Sequence, residues 1–169
     1  LDPRDALRLQ HAYGTYQERI KLLPGMAGIL SAAQAEGALL GLLTNGPSVH
    51  QRDKIRVLGL GQWIEESHVF ISAEIGAAKP DIRVFRKVQE ALGLDAGHIY
   101  YIGDSFANDV AGAKRAGWKA VWFNRRHHAV PGRDDYPDSR LGAGSGITPD
   151  FTAAGAEELA GIVRGILKD

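Results

Sequence analysis

With 169 residues, 20 Lys and Arg against 20 Asp and Glu, and a formal net charge of zero, the chain has the length for one α/β core and no basic excess of the kind that marks a general nucleic-acid binder. Hydrophobic residues at 44% and charged residues at 24% exclude a disordered or fibrous class. The absence of cysteine excludes disulfides, thiolate nucleophiles and Cys-ligated zinc, and no apolar run reaches the roughly 18 residues of a membrane span, so a soluble, cytoplasmic protein with no membrane partner is expected.

Along the chain, Leu9, Tyr13, Tyr16, Ile20 and Leu23 recur at spacings of four and three, which predicts a helix over 5–23 that stops at Pro24-Gly25. A second helix is expected over 26–36, closed by Gly37, followed by an apolar strand over 38–43 that runs into Thr44-Asn45-Gly46. The same cycle repeats. Residues 47–58 read as a helix capped by Gly59, 69–71 as a strand and 72–78 as a loop. Pro80 suits the first turn of a helix on which Val84, Phe85, Val88 and Leu92 share a face, with Gly93 as its stop. A strand over 98–102, a helix over 108–116 ending at Gly117 and a strand over 120–123 come next. Residues 124–149 are rich in Gly, Arg, Asp and Pro without periodicity and read as a long surface loop, and a last helix over 156–167 has Leu159, Val163, Ile166 and Leu167 to turn inward. Strands alternating with helices predict an α/β fold with a doubly wound parallel sheet, whose ligands bind at the carboxyl ends of the strands.

Three pieces lie at such ends. Asp104 and Asp109 flank the strand-to-helix turn of Tyr101-Ile102-Gly103-Asp104-Ser105 and Asn108-Asp109. Two carboxylates there suit a hard divalent cation such as Mg²⁺; alternatively Asp109 or Asn108 caps the helix and Asp104 is a solvated turn residue. Lys79 follows the small residues Gly76-Ala77-Ala78 and has the charge to neutralise a phosphate and a carboxylate, although most lysines are simply solvated. Thr44, Asn45 and Gly46 supply a hydroxyl and backbone N–H groups for a phosphate, while Asn-Gly is equally ordinary turn chemistry. His50 follows the Thr44 loop but is not taken as a site residue, His127-His128 reads as an exposed pair, and Trp63, Trp118 and Trp122 read as packing aromatics.

In this order and spacing the pieces resemble the haloacid dehalogenase superfamily of phosphohydrolases. Leu42-Leu43-Thr44-Asn45-Gly46 looks like its second motif, Lys79-Pro80 its third, and Gly103-Asp104-Ser105 with Asn108-Asp109 its fourth. The resemblance implies a three-layer Rossmann-like parallel sheet and hydrolysis of a small phosphorylated metabolite, such as a sugar phosphate or nucleotide monophosphate, through an aspartyl-phosphate. It implies that Thr44 and the backbone of Asn45 and Gly46 hold the phosphate, that Lys79 stabilises charge, and that Asp104 holds Mg²⁺, with Asp109 ligating it too or orienting its water and Lys79, and Ser105 and Asn108 supporting the turn. The family's metal-independent dehalogenases usually lack this pair of acids, so a phosphatase is expected.

The family's first motif, Asp-x-Asp after an apolar strand, does not occur before Thr44, where Asp2 and Asp5 have the wrong spacing. Residues 1–23 are therefore expected to be the end of a helical cap, and 24–169 a core lacking its first, central strand and its nucleophile. A chain in that state is expected to be part of a longer protein. The alternatives are a truncated product in which two core strands close up or a neighbouring chain of a homo-oligomer swaps in a strand, and a non-catalytic binding or assembly protein of the same fold.

Overall fold

The structure is a computed structural model that describes residue 2 and residues 19–125 and 146–168. Most of the helix expected over 5–23, the cap remnant over 1–23, the pair His127-His128 and most of the 124–149 loop lie outside the described residues. Residues 20–23 form no helix, in keeping with the restriction that Pro24 places on the residue before it.

Among the described residues six α-helices and five strands follow in order: α1 (Met26–Ala35), β1 (Leu42–Thr44), α2 (Ser48–Val57), β2 (Val69–Ile71), the single turn α3 (Ser72–Ile75), α4 (Ile82–Leu92), β3 (Tyr100–Gly103), α5 (Ala111–Arg115), β4 (Lys119–Phe123), β5 (Phe151–Ala153) and α6 (Ala156–Ile166). All ladders are parallel. β1 pairs with β2, Leu42 opposite Val69 and Thr44 opposite Ile71, while β3, β4 and β5 form a separate three-stranded sheet. Among the described residues no strand lies between β1 and β3.

Alternation along β4 makes the fold three-layered. Ala120 joins Val84, Phe85 and Val88 of α4 and Ala113 of α5 on one face, and Val121 joins Ile29 and Ala33 of α1 and Leu159 and Val163 of α6 on the other. Phe85 is the hub of the first face, meeting Tyr101 and Trp118 edge-on with ring centroids 5.7 and 5.2 Å apart. Trp118 and Trp122 pack as the sequence suggests, the latter edge-on against Phe106 at 5.2 Å.

Several boundaries differ from expectation. β1 begins at Leu42 because its partner β2 is only three residues long, and 38–41 stay unpaired. Pro80 stands ahead of α4, whose N-cap is Asp81: its carboxylate accepts from the Arg83 N–H at 2.9 Å. Phe106–Val110 form a π-helical turn before α5, so the helix expected from 108 opens in a wider coil. β5, too short and too mixed for a strand pattern, is held by side-chain chemistry instead: Asp150 accepts from the Ala120 N–H at 2.7 Å and from Lys114 Nζ at 2.8 Å, and donates its own N–H to the Ala120 carbonyl at 2.8 Å. Among the described residues no helix is long and apolar enough to cross a membrane.

Candidate active site

The carboxyl ends of β1 and β3 meet at the ammonium of Lys79, which of the expected residues touches Asp109 directly, while Asn45 is bonded to the Lys79 main chain. The Lys79 side chain is 11% exposed and its Nζ donates to Asp109 Oδ1 at 2.7 Å, to the Tyr101 hydroxyl at 2.7 Å and to the Leu43 carbonyl at 3.3 Å. Three acceptors match the three protons of an ammonium and Asp109 balances its charge, so a largely buried cation is left with no unmet donor. Nζ also sits 5.2 Å from the centre of the Tyr101 ring.

Asp109 is the buried partner, 7% exposed at its side chain. Its second oxygen accepts from the Ser105 N–H at 3.0 Å, so each carboxylate oxygen has a donor. The π-turn makes this possible by letting both the Asp109 and Val110 N–H groups reach back to the Ser105 carbonyl, at 2.8 and 3.3 Å, which folds Asp109 over the end of β3. Gly103 is required there: a Cβ on it would stand 2.4 to 2.5 Å from Cβ, Cγ and Oδ2 of Asp109. Ser105 caps the turn by accepting from the Asn108 N–H at 3.2 Å. Asp104 is exposed, with its backbone carbonyl accepting from Trp122 Nε1 at 3.3 Å.

On the β1 side, the Thr44 hydroxyl donates to Gln51 Oε1 at 3.0 Å, and the Gly46 N–H donates to the Ser72 hydroxyl at 2.9 Å. Asn45 faces the other loop. Its Nδ2 donates to the Lys79 carbonyl at 2.9 Å and its Oδ1 accepts from the Lys79 N–H at 3.0 Å. Behind these loops Arg52 of α2 holds Glu74 of α3 through Nε at 2.8 Å and Nη2 at 2.9 Å, and also pairs with Glu66. Glu74 accepts from Ser48 as well. Hydrogen bonds from Arg52 and then Ser48 lower the Glu74 carboxyl below its ordinary pKa.

Three participants are absent from the sequence-based set: Tyr101, Gln51 and Ser72. Tyr101 carried a signal, since alternation along β3 places it on the same face as Gly103. Burial, then the charge of Asp109, raise its phenol well above the ordinary value, so the hydroxyl stays neutral and donates to the Leu43 carbonyl at 3.0 Å. Gln51 and Ser72 carried no signal, because their partners lie on other segments.

The arrangement is a compensated cation between two loops, with an exposed carboxylate on one side and a hydroxyl and small-residue loop on the other. It suits an anion that brings its own countercharge. A family model described as a haloacid dehalogenase-like hydrolase matches residues 3–117. Over 123 residues the chain is 38% identical to a phosphoserine phosphatase of Thermus thermophilus, covering 73% of this chain and 49% of the relative. It is 36% identical over 104 residues to a glyceraldehyde 3-phosphate phosphatase of Pyrococcus abyssi, covering 62% of this chain and 43% of the relative. The crystal structure of a phosphatase from Thermococcus onnurineus superposes with a TM-score of 0.67 at 29% identity, over 85% of this chain and 59% of that one. The chain thus spans about half the length of the curated relatives it matches.

Proposed function

The chain belongs to the haloacid dehalogenase-like hydrolases, and on that premise we propose that it forms the phosphate-handling core of a Mg²⁺-dependent phosphatase acting on a small phosphorylated metabolite in the cytoplasm. Two relatives are named for phosphate esters of small metabolites, phosphoserine and glyceraldehyde 3-phosphate, which supports that substrate class. In this reading residues 1–23 end a helical cap and 24–169 form the core.

The observation that carries the proposal is the buried Lys79–Asp109 pair between the Thr44 loop and Asp104. A lysine held by a buried carboxylate, a phenol and a carbonyl keeps its position before any ligand arrives. The Leu43 carbonyl, at 3.3 Å, is the longest of its three contacts, and it is the one a phosphoryl oxygen would replace. The Thr44 hydroxyl would exchange Gln51 for a second phosphoryl oxygen.

The carboxylate donor set fits a hard cation. Among the described residues no group of three or more His, Cys, Asp or Glu side chains is placed to hold a metal ion by itself, and Mg²⁺ commonly binds through one or two carboxylates plus substrate phosphate and water. Asp104 would be the ligand, and Asp109, committed to Lys79 and the Ser105 N–H, would contribute charge behind it. Mg²⁺ bound there would supply Lewis-acid stabilisation of charge on the phosphoryl oxygens. The roles of this chain's own residues are to orient the ester and compensate its charge, which is most of what phosphoryl transfer asks of a protein.

A second reading has its own observation. It is a non-catalytic protein of the same fold, since the Thr44 hydroxyl and the compensated Lys79–Asp109 pair are groups that bind an anion without themselves attacking it. In the intact protein, titration of inorganic phosphate in the presence of Mg²⁺, paired with phosphate release from phosphoserine and glyceraldehyde 3-phosphate, separates the readings. Mg²⁺-dependent release that falls at least about 100-fold in Lys79→Met supports the phosphatase, given typical losses for a transition-state contact. Saturable phosphate binding without release supports the non-catalytic protein, and no phosphate binding at all overturns the site.

A further inference from the structure

Asn45 stands in the loop expected to cradle a phosphate, yet its carboxamide is turned toward the protein. Both of its polar atoms are spent on the main chain of one residue 34 positions away, Nδ2 on the Lys79 carbonyl at 2.9 Å and Oδ1 on the Lys79 N–H at 3.0 Å. A carboxamide has the same donor and acceptor pair as a peptide group, so the contact acts as a two-bond rung between segments that are not strands.

What it holds is notable. Lys79 follows Gly76-Ala77-Ala78, where Gly76 lies at φ 73° and Ala78 is exposed, a stretch with little side-chain mass to fix the backbone. The ammonium end of Lys79 is fixed by Asp109, Tyr101 and Leu43. The Asn45 rung fixes the other end, where a flexible four-carbon stem begins. With both ends held, the stem loses its freedom before ligand binds rather than at the moment of binding.

We propose that Asn45 is a positioning residue: its side chain acts on phosphate through Lys79, by holding that residue's main chain, and makes no phosphate contact of its own. This rests on the reading of the site as a phosphate site, and it deepens that reading by separating the roles of Thr44 and Asn45 within one loop. It also makes the order Thr-Asn-Gly chemically meaningful. The hydroxyl is bonded to Gln51, the carboxamide to the Lys79 loop, and the Gly46 N–H to Ser72.

The test uses the full chain, amide hydrogen exchange by NMR and titration with inorganic phosphate in Mg²⁺. Asn45→Ala is expected to speed exchange of the Lys79 N–H at least about fivefold while leaving Val88, in the buried core of α4, unchanged. Asn45→Asp, which keeps the acceptor and loses the donor, is expected to retain protection at Lys79. The same Asn45→Ala change is expected to weaken phosphate binding about three- to tenfold, and to have no further effect in a Lys79→Met background. Unchanged Lys79 exchange in Asn45→Ala, or an equal loss of phosphate affinity in the Lys79→Met background, overturns the positioning role while leaving the phosphate site standing. Failure of the unaltered chain to bind phosphate overturns the site reading itself, and the inference with it.

Discussion

Tyr101 illustrates how one side chain links stability to the site. Its ring packs edge-on against Phe85 in the core and its hydroxyl, 2.7 Å from Lys79 Nζ, also donates to the Leu43 carbonyl. Tyr101→Phe keeps the ring and is expected to lower stability by about 1 kcal/mol in urea denaturation, the usual net value of a hydrogen bond. A pH signature accompanies it. Burial, then the Asp109 charge, raise the folded phenol above the unfolded value of about 10, so its contribution is fully present below that pH. That contribution is lost as pH rises toward the folded pKa, because the unfolded chain releases the proton first. The alkaline fall in stability above about pH 10 is therefore expected to be shallower in Tyr101→Phe than in the unaltered chain.

At the scale of elements, β5 is the clearest case of a strand that exists because of its surroundings. Asp150 replaces a rung of the β4–β5 ladder with a carboxylate shared between the Ala120 N–H and Lys114 of α5. Burial pushes its carboxyl upward, but the Lys114 ammonium and the Ala120 N–H outweigh that and hold it below the ordinary range. With the folded pKa depressed, the contribution is present above the unfolded value of about 3.9 and is lost as pH falls through the folded value. Asp150→Ala is expected to be about 1 to 2 kcal/mol less stable at pH 7, with the gap closing in denaturation at pH 3 or below. The helices were more legible than this strand. α4 has a wide apolar stripe, an Asp81 cap and the left-handed Gly93 at φ 64°, all local signals that agree. The π-turn at 106–110 had no such signal, since it answers to the packing of Asp109 over Gly103.

For the whole molecule, the two faces of the β3–β4–β5 sheet carry separate apolar clusters, one around Phe85 and one around Leu159. Ile99→Val on the first face and Ile29→Val on the second are each expected to cost about 0.5 to 1.5 kcal/mol. Because no side chain is shared between the clusters, the double variant is expected to equal the sum within about 0.5 kcal/mol in chemical denaturation. A markedly larger or smaller loss means the layers communicate through the sheet. The β1–β2 pair joins the first cluster through Leu43 and the partly buried Phe70, and Lys79 and Tyr101 add hydrogen bonds to the Leu43 carbonyl.

Local order was readable from residue types: the α/β alternation, the glycine stops, the apolar faces of α4 and α6, and the candidacy of Thr44, Lys79, Asp104 and Asp109. Those features follow from periodicity and from chemistry that a few adjacent residues carry. The pairing of Lys79 with Asp109, the turning of Asn45 away from the cradle, and the recruitment of Tyr101, Gln51 and Ser72 were decided by the tertiary structure. Each is a contact between segments distant in sequence, and a hydrogen bond of about 3 Å depends on where the packed elements place two atoms, which no local pattern encodes.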